Sequence, residues 1–368
     1  MLNKQYISIR QLTILILLFS VGDALLVLPT TLAFIAKQDA WLSVIISFAF
    51  GILIIFLYVT IGNLNPTLSL VEWNMRIFGK WLGAAVSLLF LGYLFISAAT
   101  NLRELGNFIT MNLLIETPIQ VIQILFIGII IMGIRLGIET IARTAEILFP
   151  WFMVFFLILL FASLPGIDFG KILPVYENGV RPIMSGAFRT TSYIFVELIV
   201  FLMIFPHLKK SLKIKRSLLI GSLLGAIILL LIVLLCLLIQ GHVLTARQVY
   251  PTYELAQKIS IGHFFQRIEG VLTLLWLITI YFKIIIFLYG VHRGLAELCK
   301  IKDYRFLSFP LGMLLIACAF VISPNESYLE DFIDRYWILF DSTYGIFLPV
   351  LLLSVYGVRK ICRKSPNY

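Results

Sequence analysis

Three ionisable side chains, Asp23, Glu197 and Lys283, stand inside stretches apolar enough to cross a bilayer, and Glu146 lies in a fourth such stretch, just after Arg143. A charge at the bilayer centre costs about 2.5–3.5 kcal/mol on insertion scales, so these groups are expected to face a cavity or one another. Lys283, in TLLWLITIYFKIIIFLYG, has bulky apolar neighbours on both sides and cannot reach an interface. Its ammonium needs a carboxylate, and Asp23 or Glu197 is the expected partner. Two chemistries stay open for this centre. One is a structural ion pair that fixes the helix arrangement. In the other, the ammonium stands where a coupling cation would bind between the first and eighth spans, making sodium unnecessary. Glu146 is expected to pair with Arg143 at an interface. Arg103 and Glu104 are expected at the outer interface, and Arg189 at an outer opening, as a gate or a headgroup contact.

Asp23 lies in FSVGDALLVLPTT, residues 19–31, where Gly22 frees the backbone and Pro29 removes an amide donor. Helical hydrogen bonding is expected to break here. Open backbone at membrane depth persists only when buried in protein or lining a water-filled cavity. Many secondary transporters build a substrate site from such a break; the plainer alternative is a kinked helix without a ligand. A small ligand at the break would meet Gly22, Asp23 and Ala24 on one side and Thr191, Ser192 and Tyr193 on the other. Tyr93 and Ser97, four residues apart, share a helical face and form a candidate wall, and Thr279 and Lys283 do the same. Half-helix N-termini at a break carry partial positive charge and free N–H groups, which suit a carboxylate. Hydroxyl residues also pack commonly between membrane helices, which is the structural reading of each.

The elements that would position these residues follow from composition. Of 368 residues, 61% are hydrophobic and 13% charged, with a mean hydropathy of +1.02. A soluble domain is near half apolar and a quarter charged, so an all-α polytopic membrane protein is expected. Apolar stretches predict about ten transmembrane helices, near 11–35, 40–62, 81–112, 118–137, 141–163, 186–206, 217–240, 269–292, 306–323 and 335–358. Between the second and third, LNPTLSLVEWNMRIFGK (64–80) reads as an interfacial helix, with Trp73, Ile77 and Trp81 at helical spacing. A similar piece is expected in 249–263. The net charge of +10 falls in short runs between spans, HLKKSLKIKR (207–216) above all, while NESYLEDFID (325–334) is acidic. Bases therefore report topology rather than nucleic acid, and the positive-inside rule places both termini in the cytoplasm. An even count follows. Lys4 and Arg10 precede the first span without a small-residue cleavage site, so an uncleaved first helix is expected.

Ten spans divide into five plus five. Span six opens on SGAFRTTSYIFVELIVFLMIFP, again interrupted by small and polar residues. Helices one and six are thus both expected to be broken and to stand in equivalent positions of two inverted repeats, 1–163 and 164–368, within one transmembrane domain. No GxSxG, HExxH or GxxxxGK[ST] pattern is present, so no enzyme activity and no ATP-driven transport are expected. The four histidines lie at span ends or in connections, and Cys236, Cys299, Cys318 and Cys362 are scattered without CxxC spacing. Neither a metal, a disulfide framework nor any other cofactor is expected.

Particular segments resemble a known family. GDALLVLPTTLA (22–33), LSLVEWNMRIFGKWLG after span two, and ILPVYENGVRPIMSGAF before span six are similar to the B subunits of endospore germinant receptors. These are the spore germination permeases of the amino acid–polyamine–organocation superfamily. Leu173, Pro174, Val175, Gly179 and Pro182 carry the most specific part, and the likeness covers nearly the whole chain. The resemblance implies a LeuT-like fold and a subunit of the spore inner membrane that senses a nutrient, an amino acid or a sugar. It implies A and C receptor subunits as partners, contact with membrane lipid, and no nucleic acid. By position it places the ligand region on Gly22, near Glu197 and Leu198, and at Thr279. The alternative is a proton- or cation-coupled amino acid transporter. Asp23 with Ala24 departs from the family's second glycine: a carboxylate beside the break would repel a ligand carboxylate unless protonated or paired with Lys283.

Overall fold

The computed structural model describes residues 6–208, 214–258, 268–323 and 325–364. Among them the chain is helical and has no strands; one isolated parallel bridge joins Ile7 to Leu208. A capping box starts α1 (Ile9–Val21): Ser8 Oγ accepts from Gln11 N–H, and Gln11 Oε1 accepts from Ser8 N–H. Gly22 ends α1 at φ 23°, a region open to glycine, and α2 (Ala24–Ala36) begins two residues later. The break is therefore at Gly22–Asp23 alone. Pro29 lies inside α2, which runs through it. The carbonyl that Pro29 leaves without its amide donor, Leu25 C=O, receives the Thr252 hydroxyl at 2.8 Å instead.

Nine helical stretches among the described residues are long and apolar enough to cross a membrane. One of them, Ala24–Leu64, has 41 residues, about 60 Å of helix against a hydrocarbon core of about 30 Å. It turns at Lys37–Asp39, where Lys37 has φ 51°, so α2 and α3 (Ala40–Leu64) are separate crossings. The 13 residues of α1 are too few to span alone, and α1 with α2 makes the first crossing. Ten crossings result. After α3 come α4 (Leu70–Phe78) on the surface and the crossings α5 (Lys80–Asn112), α6 (Ile119–Leu136) and α7 (Ile138–Ser163). Crossing six is α8 (Val180–Ile194) continued by a 3-10 stretch, Val196–Met203. Next are α9 (Ile214–Gln240), the short α10 (His242–Thr245) and α11 (Pro251–Lys258), and the crossings α12 (Ile268–Cys299) and α13 (Ser308–Val321). The last crossing runs through α14 (Glu326–Phe332), α15 (Ile338–Ser342) and α16 (Leu348–Lys364), joined by π-helical turns at Ile333–Trp337 and Thr343–Phe347.

Crossing six departs from the expectation. Its small and polar opening, through Ile194, is regular α-helix, and the change comes in the apolar part that follows. Hydroxyls from neighbours occupy the carbonyls there: Ser20 donates to Ile194 O at 3.4 Å, and Tyr58 reaches Val196 O at 2.6 Å and Gly345 O at 2.8 Å. Crossing six is accordingly buried almost throughout, at the centre of the bundle.

The connection before α8 clamps the turn between the first two crossings. Tyr176 N–H donates to Asp39 Oδ1 at 2.8 Å, Gln38 Nε2 to Glu177 Oε2 at 2.7 Å, and Lys37 Nζ to Asn178 Oδ1 at 2.9 Å. At the opposite end a second capping box, Ser69 with Glu72, starts α4 within the 64–80 stretch read as helical. Trp73, though, is buried and packs on Tyr356, 5.7 Å between centroids, while Trp81 is exposed. Of 249–263, residues 251–258 form α11, and the remainder past 258 lies outside the described residues, as do Lys209, Lys210 and Lys213 of the basic run. Contacts Ile7–His207, Ser69–Glu297 and Tyr304–Ile134 gather the basic connections at one end of the bundle.

Candidate functional site

The break in crossing one, the 3-10 stretch of crossing six and the middle of α12 meet around one lysine. Lys283 is fully buried; its Nζ pairs with Asp23 Oδ1 and, at 2.6 Å, with Glu197 Oε2. Both expected carboxylates are thus partners at once. Phe19 lines the ammonium, which stands 5.7 Å from the ring centroid, and Phe201 and Phe287 pack edgewise on that ring. One turn before Lys283, Thr279 Oγ1 lies 2.9 Å from Trp276 O of its own helix and 3.2 Å from Gly22 O, so its one hydrogen is shared with a carbonyl exposed by the break. The lysine stem itself lies against Gly22: a Cβ there would overlap Lys283 Cδ and sit 3.3 Å from Cγ. The space opposite the break is filled by the lysine.

A fourth charge belongs to this centre and was not among the sequence candidates. Asp341, buried in α15 between the two π-helical turns, accepts from Ser192 Oγ at 2.5 Å. It lies within electrostatic range of Lys283, Asp23 and Glu197. The available signal was the one used for the others, an acid inside an apolar stretch; its partner residue, 149 positions earlier, gives no local cue. Tyr93 stands beside it, stacked on Tyr344 at 4.9 Å and edgewise to Phe340 at 5.2 Å. The centre therefore holds three carboxyl groups against one ammonium. Such a set has room for further positive charge, as protons or as a cationic group of a ligand.

Toward the end opposite the basic connections lies a cavity of about 180 Å³, with Val27, Thr30, Thr31, Glu104, Tyr250 and Asp334 among its lining. Arg189 pairs with the Asp334 carboxylate at its edge and donates to Asp334 O at 2.6 Å, joining crossings six and ten. Tyr193 is buried on α8, in electrostatic range of Asp23 of the ion centre and also of Glu104, Arg189 and Asp334, which lie at the cavity. Its hydroxyl has no hydrogen-bond partner among the described residues.

The sequence candidates thus fall into groups. Gly22, Asp23, Glu197, Thr279 and Lys283 come together directly, with Ala24 and Leu198 buried on the same elements. Ser192 and Tyr93 meet Asp341 instead. Thr191 and Ser97 turn their hydroxyls to their own helices, on Ala187 O at 2.7 Å and Tyr93 O at 2.9 Å. None of the ligand candidates lines the 180 Å³ cavity.

Three interfacial expectations are corrected. Glu146 pairs with Arg10 at 3.3 Å and accepts from Gln11 at 3.1 Å, because α1 packs along α7; Arg143 pairs with Glu139 at 2.6 Å, one turn away. Arg103 and Glu104 are buried, on a long α5 that packs against α12, α4, α13 and α6. His292, expected at a span end, is enclosed within α12, with Nδ1 2.7 Å from Leu288 O. Among the described residues no three His, Cys, Asp or Glu groups are arranged to hold a metal, and Cys236, Cys299 and Cys318 are free thiols.

Known proteins are similar in sequence to this chain over nearly its full length. The chain is 29% identical over 358 residues to spore germination protein KB of Bacillus subtilis (strain 168), covering 96% of this chain and 95% of that one. It is 30% identical over 286 residues to spore germination protein A2 of the same organism, covering 75% and 76%. Spore germination protein XB of Bacillus anthracis is 25% identical over 319 residues, covering 87% and 88%. Residues 6–327 match the spore permease profile, described as spore germination protein. The chain, an integral membrane protein with ten crossings among its described residues and a buried ion centre at its broken first helix, belongs to the spore permease family of spore germination proteins.

Proposed function

We propose that this protein is the nutrient-sensing, B-type subunit of a germinant receptor in the spore inner membrane, with both termini cytoplasmic. The observation that carries this reading is the break at Gly22–Asp23, held closed by Lys283. Two mirrored halves, 1–163 and 164–368, would contribute the irregular crossings one and six. A small nutrient, an amino acid or a sugar, enters from the 180 Å³ cavity, passes Tyr193 and reaches Asp23, Thr279 and Glu197. There its polar groups compete with the lysine for the carboxylates. Crossings one, six, eight and ten all hold this centre, so a ligand that re-pairs it favours a different packing of those four elements. The shift is as large as the ligand's preference for one packing over the other. Receptor A and C subunits would read that packing.

The test uses purified protein in proteoliposomes with labelled amino acids and sugars. Saturable binding without accumulation supports the sensor. Asp23→Asn is expected to change which ligand binds while assembly with partner subunits survives. Loss of assembly in that variant, with ligand preference unchanged, would make the ion centre structural only. The surplus of carboxyl groups favours one second reading, a proton-coupled amino acid transporter. Sustained accumulation driven by a pH gradient would establish it in place of the sensor.

A further inference from the structure

Between α6 and α13 the lipid-facing surface is indented. Gly312 of α13 lets the helices touch: a Cβ there would stand 2.6 Å from Ile131 Cδ1 and 3.2 Å from Ile127 Cγ2. Toward the basic end the helices part around Phe309, and a groove of about 340 Å³ opens, lined by Gly128, Ile131, Met132, Arg135, Leu136 and Phe309. It follows two turns of α6 and has room for roughly ten water-sized groups at about 30 Å³ each. Met132, Leu136 and Phe309 are all more than half exposed along it, at 58%, 51% and 58%. One charged group stands at its mouth. The Arg135 guanidinium lies 5.3 Å from the Phe309 ring centroid and has no carboxylate partner among the described residues. The nearby acid on α7, Glu139, is taken by Arg143.

A narrow apolar trough ending in an unneutralised guanidinium, at the basic end of a membrane bundle, has the chemistry of a lipid site. Basic pockets between transmembrane helices on that face take anionic headgroups, and a guanidinium matches phosphate oxygens in bidentate geometry. We propose that this groove binds one anionic phospholipid, an acyl chain lying along Gly128–Leu136 and the phosphate on Arg135. Arg135 supplies the preference for an anionic headgroup, and the trough supplies the affinity for the chain. The site is separate from the ion centre and does not rest on the reading given there.

Native mass spectrometry of the full chain, titrated with phosphatidylglycerol or phosphatidylcholine, tests it. One phosphatidylglycerol is expected to stay bound under conditions that strip phosphatidylcholine. Arg135→Gln removes a charge-assisted contact and is expected to weaken retention about tenfold. Nothing lies within 4 Å of a Cβ at Gly128, so the leucine of Gly128→Leu starts in open space and extends into the trough. It is expected to abolish retention while the unfolding temperature in lipid-free micelles stays level or rises, as leucine favours helix over glycine. Equal retention of both lipids, or full retention by Gly128→Leu, overturns the proposal. A photoreactive benzoylphenylalanine replacing Met132 should crosslink to lipid; a crosslink to a second copy or another protein overturns it as well.

Discussion

Lys283 is a buried cation whose two partners come from elements far apart in the chain, Asp23 and Glu197. Removing the ammonium alone leaves two carboxyl groups buried without it, and breaking such a pair costs about 3–5 kcal/mol. Lys283→Met is therefore expected to lower thermal stability in detergent by that order. The triple change Asp23→Asn, Glu197→Gln, Lys283→Met removes the ammonium together with its two paired carboxylates, leaving Asp341 with Ser192, and is expected to recover much of the loss. A single Lys283→Met variant as stable as the parent would show that the cluster contributes nothing to stability. The pairing of Lys283 was readable because an ammonium amid bulky apolar residues has few alternatives. Asp341 was not, because its environment is made by Ser192 and Tyr93, which only packing brings to it.

At the scale of elements, irregular backbone in three crossings is matched by hydroxyl donors from other helices. Thr252 serves Leu25, Thr279 is shared between Gly22 and Trp276 of its own helix, and Tyr58 serves Val196 and Gly345. Thr252→Val leaves the Leu25 carbonyl buried without a donor, an expected loss of about 1–3 kcal/mol, measured by thermal unfolding. Gly22→Ala places a Cβ at φ 23° and against the lysine stem; an expected loss of about 1–3 kcal/mol comes from the backbone alone. By contrast Gly92, in open space on α5, should tolerate alanine with a change under about 1 kcal/mol. A Gly22→Ala protein that unfolds like Gly92→Ala would remove the strain argument. The pair Gly22 and Pro29 announced a disrupted helix from composition alone. That the glycine breaks it and the proline does not depends on a threonine 227 residues beyond Leu25.

For the whole molecule, ten crossings among the described residues put the start of α1 and the end of α16 on the same face, together with Arg76 and Arg135. In a background without native cysteines, Lys360→Cys and Arg76→Cys are expected to react with an impermeant maleimide from one side of the membrane. Glu116→Cys and Glu177→Cys should react only from the other. Reaction of positions 360 and 116 from the same side would exclude an even count. The nine long helices among the described residues become ten crossings because Ala24–Leu64 is twice too long for one and α1 too short for its own.

Apolar lengths, basic runs and one glycine beside an aspartate were enough to establish a membrane bundle with a broken first helix, since the bilayer penalises every exposed charge and every unpaired amide. Those penalties act on a residue wherever it stands, so they can be read one segment at a time. Which carboxylates surround Lys283, which hydroxyl covers which carbonyl, and where space is left over depend on helices meeting across hundreds of positions. Side-chain contacts between crossings decide them, and no single segment contains that information.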